Sequence, residues 1–222
     1  MNQLAHSFFN IDVALRYLPD LLKGLLVTIE LSIMVVLTGV VLGVLLAMLR
    51  SAGWRGVNAL IILFADILRS LPPLMIIVVR FFGMPYLGLR LSGMFVSWFA
   101  LSLVLAAFTE ELVWAGLSSL PKGQDEAARS TGMSHSQVLI HVLVPQALRR
   151  VMAPLTSRII ATVKNTSLAS VVAVPDLLAE ASAALGYASN ATPLIVAAIG
   201  YLLFLVPLVT FSRRLERRFR WA

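Results

Sequence analysis

Long apolar stretches, separated by short polar ones, dominate the pattern of the chain. Five of them approach or exceed the roughly 20 residues that an α-helix needs to cross the hydrocarbon core of a bilayer. They comprise residues 24–49, 57–82, 93–117, 151–174 and 191–212. The pattern therefore predicts an all-α integral membrane protein with five transmembrane helices within residues 24–212. An amphipathic N-terminal segment, residues 1–23, precedes this domain, and a basic tail, residues 213–222, follows it.

Composition excludes most other classes of protein. Hydrophobic residues make up 59% of the 222 residues, only 13% are charged, and the mean hydropathy is +0.89. A soluble domain needs about 25% charged residues to cover its surface. Cysteine is absent, and the three histidines, His6, His135 and His141, do not have the spacing of metal ligands. We therefore expect no metal site and no catalytic residues.

The distribution of Lys and Arg orients the spans. Loops on the cytoplasmic side carry an excess of these residues. One side of the predicted topology carries Arg50, Arg55, Lys122, Arg129, Arg149, Arg150, Arg213, Arg214, Arg217, Arg218 and Arg220. The other side carries only Arg16, Lys23, Arg80 and Arg90. This asymmetry predicts a cytoplasmic C-terminus and an extracytoplasmic N-terminus, which we expect to be retained because no signal-peptide pattern opens the chain.

Both flanking segments have amphipathic patterns. In the tail, Phe211, Leu215 and Phe219 share one helical face among arginines, and Trp221 follows. This pattern predicts an anchor to anionic membrane lipid more readily than a regulatory or nucleic-acid role, so the net charge of +7 indicates no nucleic-acid partner. At the other end, residues 11–22 predict a short amphipathic helix on the outer surface.

Small residues recur at one helical face of the first span. Gly39 and Gly43 have the small-xxx-small spacing that lets a neighbouring helix approach closely, and Ala47 lies one turn further. We expect this face to pack within the chain, with a subunit interface as the alternative.

The longest polar stretch, residues 118–150, predicts a helix–turn–helix hairpin on the cytoplasmic face. Pro121 suits the first turn of a helix of about ten residues, and Gly132 suits its end. Ser134 and Gln137 match a capping box that opens a second helix, which Pro145 ends near Val144.

The first hairpin helix has the composition of a docking surface. Small side chains allow a partner surface to approach closely, and polar ones around them can make contacts. The small residues are Ala127 and Ala128, and the polar ones are Gln124, Asp125, Glu126 and Arg129.

The hairpin resembles the EAA loop of ABC importer permeases. The family pattern is E-A-A, three residues, G, nine residues, I, one residue, L-P, and the chain matches it from Glu126 to Gly132 and again at Pro145. Val142 replaces the usual isoleucine and Val144 the usual leucine. Residues 18–28, 121–124, 145–150 and 164–168 are further similar to the histidine/glutamine type of the polar amino acid branch.

This resemblance implies a type I importer permease with a MetI-like fold in the bacterial cytoplasmic membrane. It implies a second permease subunit, either the same chain or a sister chain, a cytoplasmic ATPase dimer that binds ATP and magnesium, and an extracytoplasmic binding protein. The EAA helix, Gln124 to Gly132, would sit in a groove of the ATPase, with Glu126 and Gly132 central to coupling. No G-x-x-x-x-G-K-[ST] phosphate loop is present, so we expect this chain to carry transport and not ATP hydrolysis.

Polar residues inside two predicted spans mark a candidate substrate path. Ionisable groups at membrane depth usually face a protein interior or an aqueous cavity. In span two, Asp66, Arg69 and Ser70 precede Pro72 and Pro73, and Arg69 has three candidate roles: pairing with Asp66, contacting substrate or gating. In span four the candidates are Lys164, Asn165, Thr166 and Ser167, which either line the path or form hydrogen bonds between subunits.

Two adjacent acids lie near the inner end of span three. We expect Glu110 and Glu111 to pair with Arg158 or Arg129, or to support the first hairpin helix. Residues 82–92 and 175–190 are the outward segments expected to meet the binding protein.

The substrate class and the rival functions follow from these features. Midplane cations and acids suit a zwitterion, and the resemblance implies a polar amino acid or a close derivative such as an opine. An ion-coupled secondary amino acid transporter is the main alternative, but no inverted repeat is evident. An intramembrane enzyme lacks an H-E-x-x-H or G-x-S-x-G motif, and a non-transporting scaffold is the last alternative.

Overall fold

The computed structural model describes the backbone of residues 6–219 and the side chains of residues 6–217, and within these residues every regular element is helical. Arg220 and Trp221, and the side chains of Arg218 and Phe219, lie outside this description. The α-helices are α1 (Ile11–Ser51), α2 (Arg55–Ser70), α3 (Pro73–Gly83), α4 (Gly93–Ser118), α5 (Lys122–Ser130), α6 (His135–Arg150, with a π-turn at Leu139–Leu143), α7 (Met152–Asn165), α8 (Leu177–Ala188) and α9 (Thr192–Phe219). Two 3₁₀ segments, Met84–Leu87 and Thr166–Val172, follow α3 and α7.

Three of these helices are long and apolar enough to cross a bilayer by themselves. They are α1, α4 and α9. Two bent pairs, α2 with α3 and α6 with α7, raise the count to five if each pair is taken as one span. The all-helical fold predicted from the sequence is confirmed. Predicted span 57–82 is interrupted between α2 and α3, and predicted span 151–174 changes from α-helix to 3₁₀ helix after Asn165.

The first helix differs from the prediction at its N-terminal end. The sequence pattern predicts a separate surface helix at residues 11–22, but α1 continues without a break for 41 residues, with Pro19 inside it. At 1.5 Å per residue α1 is about 60 Å long, about twice the thickness of the hydrocarbon core. The amphipathic segment is therefore an extension of the first spanning helix.

The second predicted span is broken where its two prolines stand. Leu71 adopts an extended conformation (φ −90°, ψ 137°), and its N–H donates to the carbonyl of Ile67. A residue before proline is driven out of the helical region, and proline suits the first position of a new helix. Consequently α2 ends at Ser70 and α3 begins at Pro73.

The chain divides into two compact units, each with its own core. The first unit extends to Val35 and adds Pro73–Leu101 and Thr162–Val209. Its core contains Leu21, Leu177, Ala181 and Ala197. The second unit comprises Val36–Pro72, Ser102–Ala161 and the residues from Thr210 onward, with Ala47, Val113 and Val151 in its core.

Close packing of α1 on α4 holds the second unit together. A Cβ atom on Gly39 would lie 2.8 Å from Leu105 Cβ, and one on Gly43 would lie 2.6 Å from the carbonyl oxygen of Ala106. Ala47, one turn further, is fully buried. Glycine is required here because two backbones approach each other, so this face of α1 packs within the chain.

Candidate functional site

The polar hairpin presents its first helix to the surroundings. Helix α5 contains no buried residue: Gln124, Glu126 and Ala127 are exposed, and Asp125 and Ala128 are partly exposed. After α5, Gly132 has a φ of +86°, a left-handed conformation that side chains other than glycine and asparagine rarely adopt. A Cβ atom at Gly132 would meet nothing within 4 Å. The requirement for glycine is therefore conformational and not steric.

The second hairpin helix begins as the sequence predicts. The Ser134 hydroxyl accepts from the N–H of Gln137 (3.4 Å), and the Gln137 side chain accepts from the N–H of Ser134 (2.8 Å). Both hydrogen bonds of the capping box are thus present, so the turn between α5 and α6 is fixed at a defined residue.

The predicted end of this helix near Val144 is wrong, because α6 continues to Arg150. The N–H of Val144 donates to the carbonyl of Leu139, five residues earlier, which opens a π-turn directly before Pro145. Proline lacks an N–H and crowds the carbonyl four residues before it. The widened turn accommodates Pro145, and the helix resumes.

Several hydrogen bonds brace the hairpin. At its base, Arg150 Nη1 donates to the carbonyl (2.5 Å) and the hydroxyl (3.0 Å) of Ser119. Gln146 Nε2 donates to Gln124 Oε1 (3.0 Å), across a cavity of about 400 Å³ that Pro121 and Arg150 also line. Gln124, one of the predicted docking residues, therefore has a partner within the hairpin.

Arg129 is also held within the hairpin. Its Nε donates to Asp125 Oδ2 (2.8 Å), and its Nη2 lies 2.7 Å from His135 Nδ1. Of the residues predicted for docking, Glu126 and Ala127 are those left exposed without a described side-chain partner.

Four helical residues of the second unit, Arg50, Arg69, Glu110 and Glu111, form a charged network. Arg50 Nη1 contacts Glu110 Oε1 (3.0 Å) and Glu111 Oε2 (3.7 Å), and Arg69 Nη1 contacts the same Glu111 oxygen (3.0 Å). Glu110 is fully buried. Arg50, at the end of α1, is the cation that reaches Glu110, a partner that the sequence pattern did not indicate.

Arg69 forms ion pairs with both Asp66 and Glu111. The Asp66 contact predicted from their spacing is present at 3.9 Å, but Glu111 on α4 is nearer. On the other side, the Arg69 guanidinium lies 5.9 Å from the centre of the Phe108 ring, which the Arg158 guanidinium covers at 3.6 Å. Ser70, the third candidate in this span, is exposed at the end of α2.

The second candidate cluster stands where α7 changes to a 3₁₀ helix. Asn165 is the last residue of α7, and Thr166–Val172 forms seven residues of 3₁₀ helix, longer than the usual three or four. Thr166 is buried: its hydroxyl donates to the carbonyl of Val163 (2.7 Å) and lies 3.4 Å from Ser32 Oγ on α1. Thr166 therefore fixes α1 and this segment in register, within one chain.

The other three residues of the cluster differ from Thr166. Lys164 is exposed, and Asn165 and Ser167 are partly exposed. The Ser167 hydroxyl donates to the carbonyl of Lys164 (2.9 Å). Lys164 belongs to the first compact unit and Arg69 to the second.

A buried carboxyl that sequence reasoning missed lies at the start of α8. Asp176 is fully buried; its Oδ1 accepts from the N–H of Ala179 (2.8 Å) as the N-cap, whereas its Oδ2 has no partner among the described residues. Burial raises the pKa of Asp176 from 3.8 to about 6. Nearby, Thr28 of α1 accepts from the N–H of Leu177 (3.1 Å). The aspartate directly before an apolar helix was the available sequence signal.

The tail residues continue α9. Glu216 Oε1 accepts from the hydroxyls of Thr156 (2.6 Å) and Ser212 (3.1 Å). The arginines at positions 213, 214 and 217 are exposed. In the described part of the tail, its one acid is thus turned inward while three cations face outward. The described residues contain no group of three or more His, Asp or Glu side chains that could hold a metal ion.

Residues 39–221 match the family model described as binding-protein-dependent transport system inner membrane component. The chain belongs to this permease family. The match covers most of the chain, including both intramembrane clusters and the hairpin. A relative of this permease is the probable glutamine ABC transporter permease protein GlnP of Bacillus subtilis, 35% identical over 207 residues, which is 91% of this chain and 95% of that protein.

Solved structures show the same permease fold. A chain of an amino acid ABC transporter crystallised with histidines has a TM-score of 0.82 at 25% identity, covering 92% of this permease and 96% of that chain. A chain of the MetNI methionine ABC transporter, in an inward-facing conformation, has a TM-score of 0.67 at 21% identity, covering 92% and 96%. The predicted MetI-like fold is therefore confirmed.

Proposed function

We propose that this chain is the membrane-spanning subunit of an ATP-driven importer that moves a polar amino acid, or a close derivative such as an opine, across the bacterial cytoplasmic membrane. The observation that carries the proposal is the exposed helix α5, braced on a capped hairpin in a chain of this permease family. The glutamine permease among its relatives and the histidine-containing structural neighbour support an amino acid substrate.

In this proposal α5 is the coupling helix. It docks into a groove of a cytoplasmic ATPase dimer, which binds ATP and magnesium and performs the hydrolysis. Glu126 and Ala127 make the contact, because both are exposed on α5. Asp125, Arg129 and Gln124 support it from within, because their described partners lie in the hairpin. Gly132 sets the direction in which the chain leaves α5.

The substrate path is lined by the exposed members of the span-four cluster. Lys164 offers an ammonium to a substrate carboxylate, and Asn165 and Ser167 offer neutral hydrogen-bonding groups at the point where the helix changes type. Thr166 is excluded from direct contact by its burial. Arg69 and Asp66 belong to the charged network, so their role in this proposal is to stabilise the second unit and not to bind substrate.

The remaining partners follow from the proposed topology, with the N-terminus outside and the C-terminus in the cytoplasm. A second permease subunit, of the same or a sister chain, completes the path. The outward segments, residues 82–92 and 175–190, meet the binding protein; Tyr86 and Tyr187 within them are 92% and 82% exposed. The exposed arginines of the tail contact anionic lipid headgroups of the inner leaflet.

The decisive experiment reconstitutes the chain with its ATPase and binding protein in proteoliposomes. ATP hydrolysis is measured across a panel of basic, acidic and amide amino acids. We expect one group to stimulate hydrolysis. Gly132→Val should abolish the stimulation, since a β-branched residue cannot easily adopt a positive φ, whereas Gly132→Asn should retain much of it because asparagine tolerates that conformation.

The alternative, an ion-coupled secondary transporter, makes the opposite prediction. Uptake would then persist without ATP and collapse when an uncoupler dissipates the ion gradient. Failure of any ATPase to associate with the chain, together with such uncoupler sensitivity, would overturn the importer proposal.

A further inference from the structure

The Arg129 side chain links the two helices of the hairpin. Asp125 and Arg129 lie one turn apart on α5, and His135 is the first residue of α6, beyond the Gly132 turn. The guanidinium donates to Asp125 Oδ2 through Nε and lies with Nη2 at 2.7 Å from His135 Nδ1. The imidazole is therefore the α6 end of a side-chain bridge across the turn.

This contact requires a neutral imidazole. Arginine has five N–H donors and no acceptor, so His135 Nδ1 must supply the lone pair. A protonated imidazolium has no lone pair, and it would place a second positive charge against the guanidinium. The position of His135 at the N-terminal end of α6 adds to this preference, since the helix dipole disfavours a cation there.

No other charged side chain lines the adjoining cavity among the described residues. Asp125, Arg129 and His135 form one wall. The other lining residues, which come from α1, α4 and α6, are Ser51, Trp114, Leu117, Ser118, Leu139 and Leu143. Asp125 and Arg129 are therefore the charged side chains that share this cavity wall with His135.

We propose that His135 is a positioning residue for coupling: its neutral imidazole holds Arg129 and so fixes the angle of α5, and its protonation releases the bridge. The inference rests on the proposed function, in which α5 transmits ATPase closure. Histidine changes charge between about pH 5 and 8. Acidification of the cytoplasmic side therefore lowers coupling through this residue.

The test uses the complete reconstituted complex with its ATPase and binding protein, and glutamine as the first probe substrate. Substrate-stimulated ATP hydrolysis is measured on the ATPase side from pH 5.5 to 8 for the wild type and for His135→Gln. The glutamine carbonyl accepts from Arg129 at every pH in this range. Taking the ratio of wild type to variant cancels the pH responses of the ATPase and the binding protein.

We expect this ratio to be near one at pH 8 and to fall about threefold by pH 5.5, the size of one lost polar contact between exposed side chains. In an Arg129→Gln background, replacing His135 should cause no further change. His141→Gln is the matched control, because His141 lies on the same helix and its described hydrogen bond is to the carbonyl of Gln137 and not to Arg129. It should keep the wild-type profile.

A second readout does not depend on activity. Hydrogen exchange of residues 122–138 should accelerate on acidification in the wild type relative to His135→Gln. A ratio that is flat with pH, in a complex that hydrolyses ATP in response to substrate, would overturn this inference and leave the proposed function standing. A complex with no stimulation by any substrate at any pH would overturn both.

Discussion

Arg69 Nη1 lies 3.0 Å from Glu111 Oε2 on a different helix but 3.9 Å from Asp66 Oδ1 on its own. The carboxylate of Glu111 also lies 3.7 Å from Arg50. Replacing Arg69 with glutamine should therefore lower the free energy of unfolding by about 0.5–1 kcal/mol, because Glu111 loses its nearer cation and both side chains are partly exposed. The loss of stability is measured as a lower thermal unfolding temperature in detergent, with size-exclusion chromatography used to monitor unfolding.

A double-mutant cycle separates the pair from its surroundings. The effects of Arg69→Gln and Glu111→Gln should be less than additive when combined, since both remove the same contact. Asp66→Asn serves as the control and should have a smaller effect. Additive effects of the two changes would show that the contact contributes nothing.

Close packing at Gly43 should make this position intolerant of any side chain. A Cβ atom there would lie 2.6 Å from the Ala106 carbonyl oxygen, which is part of a helix backbone and cannot move cheaply. We expect Gly43→Ala to destabilise the protein by about 1–3 kcal/mol. Gly56→Ala is the matched control in α2, because a Cβ atom at Gly56 meets nothing within 4 Å. Equal unfolding temperatures for the two variants would contradict the packing described.

Substitutions of Lys164 and Thr166 should affect different properties, transport and stability respectively, although the two residues are only two positions apart. Thr166→Val removes a hydroxyl that is buried against Ser32 and Val163, so it should lower stability by about 1 kcal/mol. Lys164→Met removes an exposed charge and should leave stability unchanged while reducing substrate uptake by the assembled complex at least tenfold. Uptake and unfolding temperature are measured on the same preparations. Normal uptake by Lys164→Met would remove Lys164 from the path.

Asp176 should make stability depend on pH. Burial raises its pKa from 3.8 to about 6, so the folded protein holds a proton that the unfolded chain has already lost between these values. Stability therefore falls as the pH rises from 4 to 6, and the loss, about 3 kcal/mol, is nearly complete by pH 7.

Asp176→Asn removes this dependence while keeping a side chain that caps helices well. The variant should unfold at a higher temperature than the wild type at pH 7.5, and the difference should shrink by pH 4.5. A difference that stays constant across this range would mean that Asp176 does not titrate as described.

The arginine tail should retain anionic lipid. Replacing Arg213, Arg214 and Arg217 with glutamine should reduce the phosphatidylglycerol that remains bound in native mass spectrometry, because these side chains are exposed and Glu216 is occupied by Thr156 and Ser212. A triple lysine variant keeps the charge and should retain the lipid. Equal loss from both triple variants would show that the contact is not electrostatic.

Local chemistry explains what the sequence could predict. The capping box at Ser134 and Gln137 and the positive φ of Gly132 depend on neighbouring residues alone, so their side chains indicate them directly. The break before Pro73 is equally local, since proline restricts the residue that precedes it. The same holds for the glycine face of α1, because spacing along one helix defines it.

Contacts between distant residues were not accessible in this way. Arg50 is 60 residues from Glu110, and periodicity within one span does not show which cation of another span lies opposite. Arg129 was predicted to contact a partner because a polar side chain suits docking. Its side chain instead contacts His135, which the turn after α5 places next to it. Pro145 predicted a helix end, but the helix continues because a π-turn before it makes room for the proline. A π-turn has no simple residue pattern, so the sequence did not indicate it.

The seven residues of 3₁₀ helix after Asn165 couple the length of this segment to its rotation about the helix axis. A 3₁₀ helix rises about 2.0 Å and turns 120° per residue, against 1.5 Å and 100° for an α-helix. If Thr166–Val172 were wound as α-helix, the segment would shorten by about 3.5 Å and its far end would rotate by about 140° relative to Lys164. A change in hydrogen-bond pattern alone would thus rotate the residues that follow Val172 relative to Lys164, and would move them along the helix axis at the same time.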